Sequence, residues 1–308
     1  MLGLSAIFST LARPTSALLA SSTDIALGDY LAAHHYSSEF IGDYLVPMGA
    51  AIWSTDPARM LAFPARFFVR FFENHGMLSE DARPQWRAIR GGSARYVDKL
   101  VAPFRGRIRL NTPVESVRRM RDCVLVKARG AEAQRFEHVF LACHSDQALG
   151  LLADATPLER QILGAIPYQE NEAVLHTDTS MLPHARRAWA AWNYHVVRES
   201  SERVALTYNM NILQSLAARE TFCVTLNHSE RIAPAKIIKR LVYHHPLFTP
   251  AGVAAQQRQH EINGQQRTYF CGAYWRFGFH EDGVVSALDA VEHFEQTAHA
   301  QRDLSRVA

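Results

Sequence analysis

Two glycines set around a strand and a helix carry the clearest chemical signal in this sequence. Thr268 to Cys271 reads as a short apolar strand, Gly272 stands at its end, and Gly283 opens a helix whose Val284, Leu288, Val291 and Phe294 share one face. A glycine at a strand end lets a ligand come close to the backbone. A helix N-terminus offers unpaired N–H groups and about half a positive charge, which suits an anionic or strongly accepting ligand. Many α/β chains also end in a strand and a helix that bind nothing, so the pattern alone leaves both readings open.

A second group is aromatic. Trp192, Tyr194 and Tyr208 fall in alternating stretches and have two readings, the wall of an apolar substrate cavity or packing within a sheet. Phe63, Phe67, Phe68, Phe71 and Phe72 recur at helical spacings. They suit a core-facing helix, an apolar tunnel wall or, beside Arg59, Arg66 and Arg70, a face in peripheral contact with a membrane.

Other chemistries have less support. Fifteen histidines include the pairs His34-His35 and His244-His245, but adjacent residues do not share a helix face and no H-E-x-x-H spacing occurs, so no metal is expected. Cys123, Cys143, Cys223 and Cys271 lie far apart, which points to free thiols in a reducing, cytoplasmic setting. No G-x-S-x-G elbow suggests a hydrolase. The net charge of +3 is mild and its basic residues are dispersed, which argues against nucleic acid as a partner. No apolar run approaches the roughly 18 residues of a membrane span. Met1 to Ser22 is free of acid and ends in small residues, yet it has no charged leading region and Pro14 interrupts it. It reads as an ordinary loop and helix.

The elements that would position these groups fall into two kinds. Thr23-Asp24 caps a helix carrying Ile25, Leu27, Tyr30 and Leu31, and a second helix begins near Ser38. Asp56-Pro57 starts a helix expected to run through the phenylalanines to a stop at Gly76. Gly91-Gly92-Ser93 opens another, with Ser93 as cap and Tyr96, Val97, Leu100 and Val101 on one face. Short strands are expected at 108–110, 114–117, 124–128 and 138–143, the last covered on both faces. Longer alternating strands follow at 171–177, 189–197, 204–211 and 221–227, reading as an inserted, more antiparallel sheet.

The segment Tyr269-Phe-Cys-Gly-Ala-Tyr-Trp-Arg-Phe-Gly-Phe-His-Glu-Asp-Gly-Val-Val-Ser-Ala-Leu-Asp-Ala resembles the C-terminal FAD motif of flavin-containing amine oxidoreductases. Pro47-Met-Gly-Ala-Ala-Ile-Trp-Ser54, Gly91-Gly-Ser-Ala-Arg-Tyr-Val97, Ala191-Trp-Asn-Tyr194 and His245-Pro-Leu-Phe248 agree with a bacterial group of that family. The resemblance implies an α/β fold: an incomplete FAD-binding Rossmann-like domain, residues 86–150 with 264–308, and an inserted α+β substrate domain on a mainly antiparallel sheet, residues 1–85 with 151–263. It implies hydride transfer from a small-molecule or lipid-like substrate to FAD, with lipid or polyene desaturation or isomerisation as the alternative. A non-catalytic remnant or binding protein is the alternative from another class.

Carried over by residue, the resemblance places Gly272 against the ribityl-pyrophosphate region and puts Gly283 and Val284 at the isoalloxazine. It implies that the backbone of Val114 meets the adenine and that Ala142 and Cys143 lie beside the cofactor. Ala273 stands where an acidic residue often follows the glycine, so that ribityl contact is not expected. No cysteine falls where some relatives attach flavin covalently, so the FAD is expected to be non-covalent. None of Lys99, Lys127, Lys236 and Lys239 matches the flavin-N5 lysine of many amine oxidases. The G-x-G-x-x-G turn that opens such proteins is absent, which makes the chain read as N-terminally truncated. An unpaired sheet edge and an uncovered apolar face are the expected consequence.

Overall fold

The computed structural model describes residues 17–21, 24–78, 85, 87–196 and 203–307, from 298 onward for the backbone alone. Thr23, expected to help cap the first helix, lies outside the described residues. The chain divides into two compact units, Met1–Gly106 with Tyr168–His245, and Arg107–Pro167 with Pro246–Ala308. Strands and the longer helices are numbered along the chain.

In the first unit, α1 spans Leu27–Ala33 and α2 spans Val46–Trp53, the latter entered through a π-helical turn at Ile41–Leu45. Gly49 sits where a Cβ would come within 2.6 Å of Met60 Cε and 2.9 Å of Phe68 Cε2, so only glycine permits this packing. The Asp56 carboxylate accepts the Ala58 N–H at 2.9 Å and starts Pro57–Met60, as the Asp-Pro pair predicts.

That helix does not continue through the phenylalanines. Pro64 disfavours helical backbone at the residue before it, so α3 begins afresh at Ala65 and runs to Asn74. Its N-terminus lacks a local side-chain cap. Asp24, 42 residues earlier, supplies one by accepting the Arg66 N–H at 3.0 Å. Phe63, Phe67, Phe68 and Phe71 surround Trp53 with ring centroids 4.8 to 6.0 Å away, and all are buried. The stripe is therefore core. Helix α4, Ala94–Val101, follows Gly91 and Gly92 at φ 81° and 83°, but Ser93 makes no side-chain cap, and Val97 and Leu100 are exposed.

The sheet of this unit comprises β5 (Tyr168–His176), β6 (Trp192–His195), β7 (Ala205–Asn209), β8 (Cys223–Leu226) and β9 (Ile237–Pro246), in the order β6-β7-β8-β5-β9. Pairs β6/β7, β7/β8 and β5/β8 are antiparallel. Trp192 stands opposite Tyr208 and Thr207 opposite Thr225. Alternation thus puts Trp192, Tyr194 and Tyr208 on one face, and His176, Asn193, His195, Thr207 and Thr225 on the other.

In the second unit, β1 (Val114–Arg119), β2 (Val124–Ala128) and β3 (Gln134–Phe136) form an antiparallel sheet. The expected strand at 108–110 is not formed; Leu110 is 79% exposed and belongs to no strand among the described residues. β4 (Val139–Leu141) pairs in parallel with β10 (Thr268–Phe270), Leu141 opposite Phe270. Phe140 is 40% exposed, so β4 is not covered on both faces as its apolar run suggested. Helices α5 (Ser145–Leu151), α6 (Pro157–Leu163), α7 (Pro250–Gln256) and α8 (His280–Val307) complete the unit.

Helix α8 starts inside the stretch expected to be loop. Asp282 explains this, because its carboxylate accepts the Phe279 N–H at 2.9 Å and closes the first turn. Phe294 packs against His138, Phe140 and Tyr269, whereas Val284, Leu288 and Val291 are exposed. Arg119 bolts the unit from within. Its buried guanidinium binds Asp154 at 2.7 Å and Glu159 at 2.8 Å.

Candidate functional site

The parallel pairing of β4 and β10 brings their C-terminal ends together, and α8 begins eight residues after Gly272. Ligands of α/β proteins bind at such strand ends. Cys271 N–H donates to Leu141 O at 3.1 Å, which extends the parallel pairing toward exposed Ala142 and brings Gly272 near Cys143. A Cβ on Gly272 would lie 2.5 and 2.8 Å from the Tyr274 ring and 3.5 Å from Cys143 O, so the close approach requires glycine. The Gly272 N–H donates to the fully buried Ser286 hydroxyl at 2.9 Å, tying the strand end to α8.

The turn beyond Gly272 is held from below. Gln256 donates to Tyr274 O and Arg276 O, each at 2.7 Å, and the Tyr274 and Trp275 rings pack at 4.9 Å. The buried Trp275 Nε1–H finds no hydrogen-bond partner among the described residues. An unpaired buried donor costs about 1–3 kcal/mol. Sequence reasoning missed Trp275 and Gln256, since nothing in their spacing sets them apart from core residues.

The other predicted positions are placed less tightly. Gly283 N–H donates to Phe279 O within the helix, and a Cβ there would approach nothing closer than Ala273 Cβ at 3.9 Å. Val284 is 51% exposed in the first turns of α8. Val114 opens β1 opposite Ala128, on the three-stranded sheet rather than on the β4/β10 pair. Burial pushes the thiols of Cys143 and Cys271 up, with Asp146 adding to the effect at Cys143, so both stay protonated. Gly272 at the strand end, exposed Ala142 on the neighbouring strand and the α8 N-terminus are compatible with a ligand that approaches the backbone and carries acceptor atoms, as a flavin does.

In the first unit, the rings of Trp192 and Tyr208 meet at 80° with centroids 5.6 Å apart. Burial pushes the Tyr208 phenol up to about 12, and burial followed by the Asp56 charge raises Tyr194, so both remain neutral donors. An amide cluster on β5 escaped sequence reasoning. Asn171, fully buried, bonds His245 Nδ1 at 2.9 Å and accepts from Asn227 Nδ2 at 2.7 Å, while Gln169 donates to Ser54 O at 3.2 Å. Lys127 and Lys236 pair with Glu115 and Asp178, and Lys99 and Lys239 are exposed on α4 and β9.

The model of the family described as flavin containing amine oxidoreductase matches residues 14–195, more than half of the sequence. The chain belongs to this family. Among solved structures, it is similar to cyclohexylamine oxidase from Brevibacterium oxydans IH-35A, with TM-score 0.64 and 14% identity, covering 96% of this chain and 76% of that one. It is also similar to a fatty acid isomerase from P. acnes that produces CLA, with TM-score 0.66 and 14% identity, covering 94% and 74%. Putrescine oxidase bound to putrescine matches with TM-score 0.61 and 11% identity over 97% and 75%. No curated protein matches. At these identities the structural likeness establishes the fold, and no helix among the described residues is long and apolar enough to cross a membrane.

Proposed function

We propose that the chain binds FAD non-covalently and oxidises a small organic amine. One observation carries the cofactor reading: the strand end at Gly272, where a Cβ would meet the Tyr274 ring at 2.5 Å, lies at the C-terminal end of a parallel strand pair. When bound, the flavin supplies the two-electron acceptor chemistry of the family. Gly272 and Ala142 let it approach the backbone, and the α8 N-terminus near Gly283 and Val284 stabilises negative charge. The backbone of Val114 is assigned to the adenine end.

Trp192, Tyr194 and Tyr208 form the substrate wall, where neutral phenols and an indole exclude water and favour an apolar or cationic group. Four free cysteines are in keeping with a cytoplasmic enzyme. A second reading, double-bond isomerisation of an unsaturated fatty acid, is favoured by the likeness to the fatty acid isomerase.

The test combines binding with turnover. FAD added to the purified chain is expected to be retained on desalting and released by acid, and anaerobic addition of amines to bleach its visible band. Retained flavin that amines leave oxidised, with double-bond migration in added polyunsaturated fatty acids, would replace the amine reading by the second. Flavin surviving acid precipitation with the protein would overturn the non-covalent assignment.

A further inference from the structure

The face of the five-stranded sheet opposite Trp192 and Tyr208 carries an uninterrupted row of polar side chains. His176 Nε2 lies 2.7 Å from Thr225 Oγ1, Thr225 Oγ1 lies 2.8 Å from Thr207 Oγ1, and Thr207 Oγ1 lies 2.8 Å from His195 Nε2. The row crosses β5, β8, β7 and β6 in turn. His176, Thr225 and Thr207 are fully buried, and His195 is half-buried at the outer end.

The hydrogen positions along the row follow from one backbone group. Asp178 N–H donates to His176 Nδ1 at 3.0 Å, so the ring proton of neutral His176 sits on Nε2 and is donated to Thr225. Thr225 has one hydrogen left to give, and its remaining partner is Thr207. Thr207 therefore gives its hydrogen to His195 Nε2, which leaves the ring proton of His195 on Nδ1. We propose that His176, Thr225, Thr207 and His195 form a one-way hydrogen-bond relay that makes this sheet a pH sensor, read in at His195 and felt at the buried end.

Protonating His195 turns its Nε2–H toward the Thr207 hydroxyl, which must then accept from it. Whether Thr207 goes on accepting from Thr225 or turns to donate to it, one threonine hydrogen loses its acceptor inside the sheet. His176 cannot relieve this by changing tautomer, because the Asp178 N–H needs Nδ1. At His195 stands the His228 ring, 5.5 Å away and itself bound to Glu230 at 2.6 Å. Around His176 stand the Asp178–Lys236 ion pair and the Cys223 thiol across the strand.

Burial lowers both imidazoles from their ordinary value, His228 adds to this at His195, and at His176 Asp178 opposes it while Lys236 reinforces it. The folded chain thus resists protons that the unfolded chain takes up. Stability is complete above about pH 6.5 and falls as the pH drops below it. The same strands carry Trp192, Tyr194 and Tyr208 on their other face, so a loosened relay disturbs the proposed substrate wall. That last link rests on the wall reading; the relay itself does not.

The experiment is nitrogen NMR of the histidine side chains in the whole chain, without flavin or substrate, assigned with His176→Gln and His195→Gln. At about pH 7.5, His176 is expected as the Nε2–H tautomer and His195 as the Nδ1–H tautomer. One shared tautomer would overturn the relay. Thr207→Val is expected to release His195 to the Nε2–H form and raise the pH at which it protonates, and Thr207→Ser to restore the wild-type spectrum; spectra indifferent to the valine would overturn it. Should Thr207→Val not fold, wild-type urea unfolding decides. Its equilibrium constant is expected to rise by up to roughly tenfold per imidazole for each pH unit below about 6.5, and a constant that stays flat would contradict the sensor.

Discussion

The two units solve the problem of holding a site in different ways. In Tyr168–His245, five strands satisfy one another, and the chain segment before them buries a Phe-rich core around Trp53. In Arg107–Pro167 with Pro246–Ala308, the parallel sheet among the described residues is two strands wide, and α8 shows Val284, Leu288 and Val291 to solvent. The strand end proposed to hold the flavin nevertheless has a defined shape, because polar bolts replace sheet width. Ser286 holds Gly272, Gln256 holds the turn after it, Asn263 accepts the Phe270 N–H at 2.7 Å, and Arg119 joins Asp154 to Glu159. A narrow sheet can present a site if its ends are fastened one by one.

If that contrast holds, the largest loss comes from the bolts. Arg119→Met leaves Glu159 buried without its partner and is expected to cost about 3–5 kcal/mol in urea unfolding. Burial pushes the Glu159 carboxyl up, but the bonds from Arg119 and the Thr156 N–H outweigh it and hold it below its ordinary value. The stabilisation is therefore present above about pH 4.5 and lost as pH falls below it, and Arg119→Met removes that dependence. Phe68→Ala breaks the first unit by a different route, a cavity beside Trp53, at about 3–4 kcal/mol with no such pH dependence.

Gly272→Ala sharpens the comparison. Its Cβ meets the Tyr274 ring, so about 1–3 kcal/mol of strain is expected together with weakened FAD uptake, measured by flavin fluorescence. Leu288→Lys should fall within about 0.5 kcal/mol of wild type in stability, because the side chain is already exposed, while raising solubility in a sedimentation assay.

Sequence reasoning reached these features unevenly. The Gly272 strand end, β2 at 124–128 and the Asp56 start were legible because each follows from local rules of turns, alternation and capping. β9 was not, since Ile-Ile-Lys-Arg-Leu-Val-Tyr-His-His mixes apolar and basic residues without a period of two, and only its place beside β5 makes it a strand. The break at Pro64 was legible in principle, but the apolar period of the phenylalanines overrode it. Trp275 and Asn171 acquire meaning only from what the fold leaves unpaired or brings together, which spacing cannot express.

The central claim is that the fastened strand end at Gly272 holds a flavin. Its most direct test is the visible absorption of the purified chain titrated with FAD, beside Gly272→Val and a circular-dichroism check of folding. A shifted, structured flavin band that desalting retains in the wild type and not in the variant is the predicted result. A folded wild-type chain whose added FAD keeps the spectrum of free FAD and washes away would contradict the account.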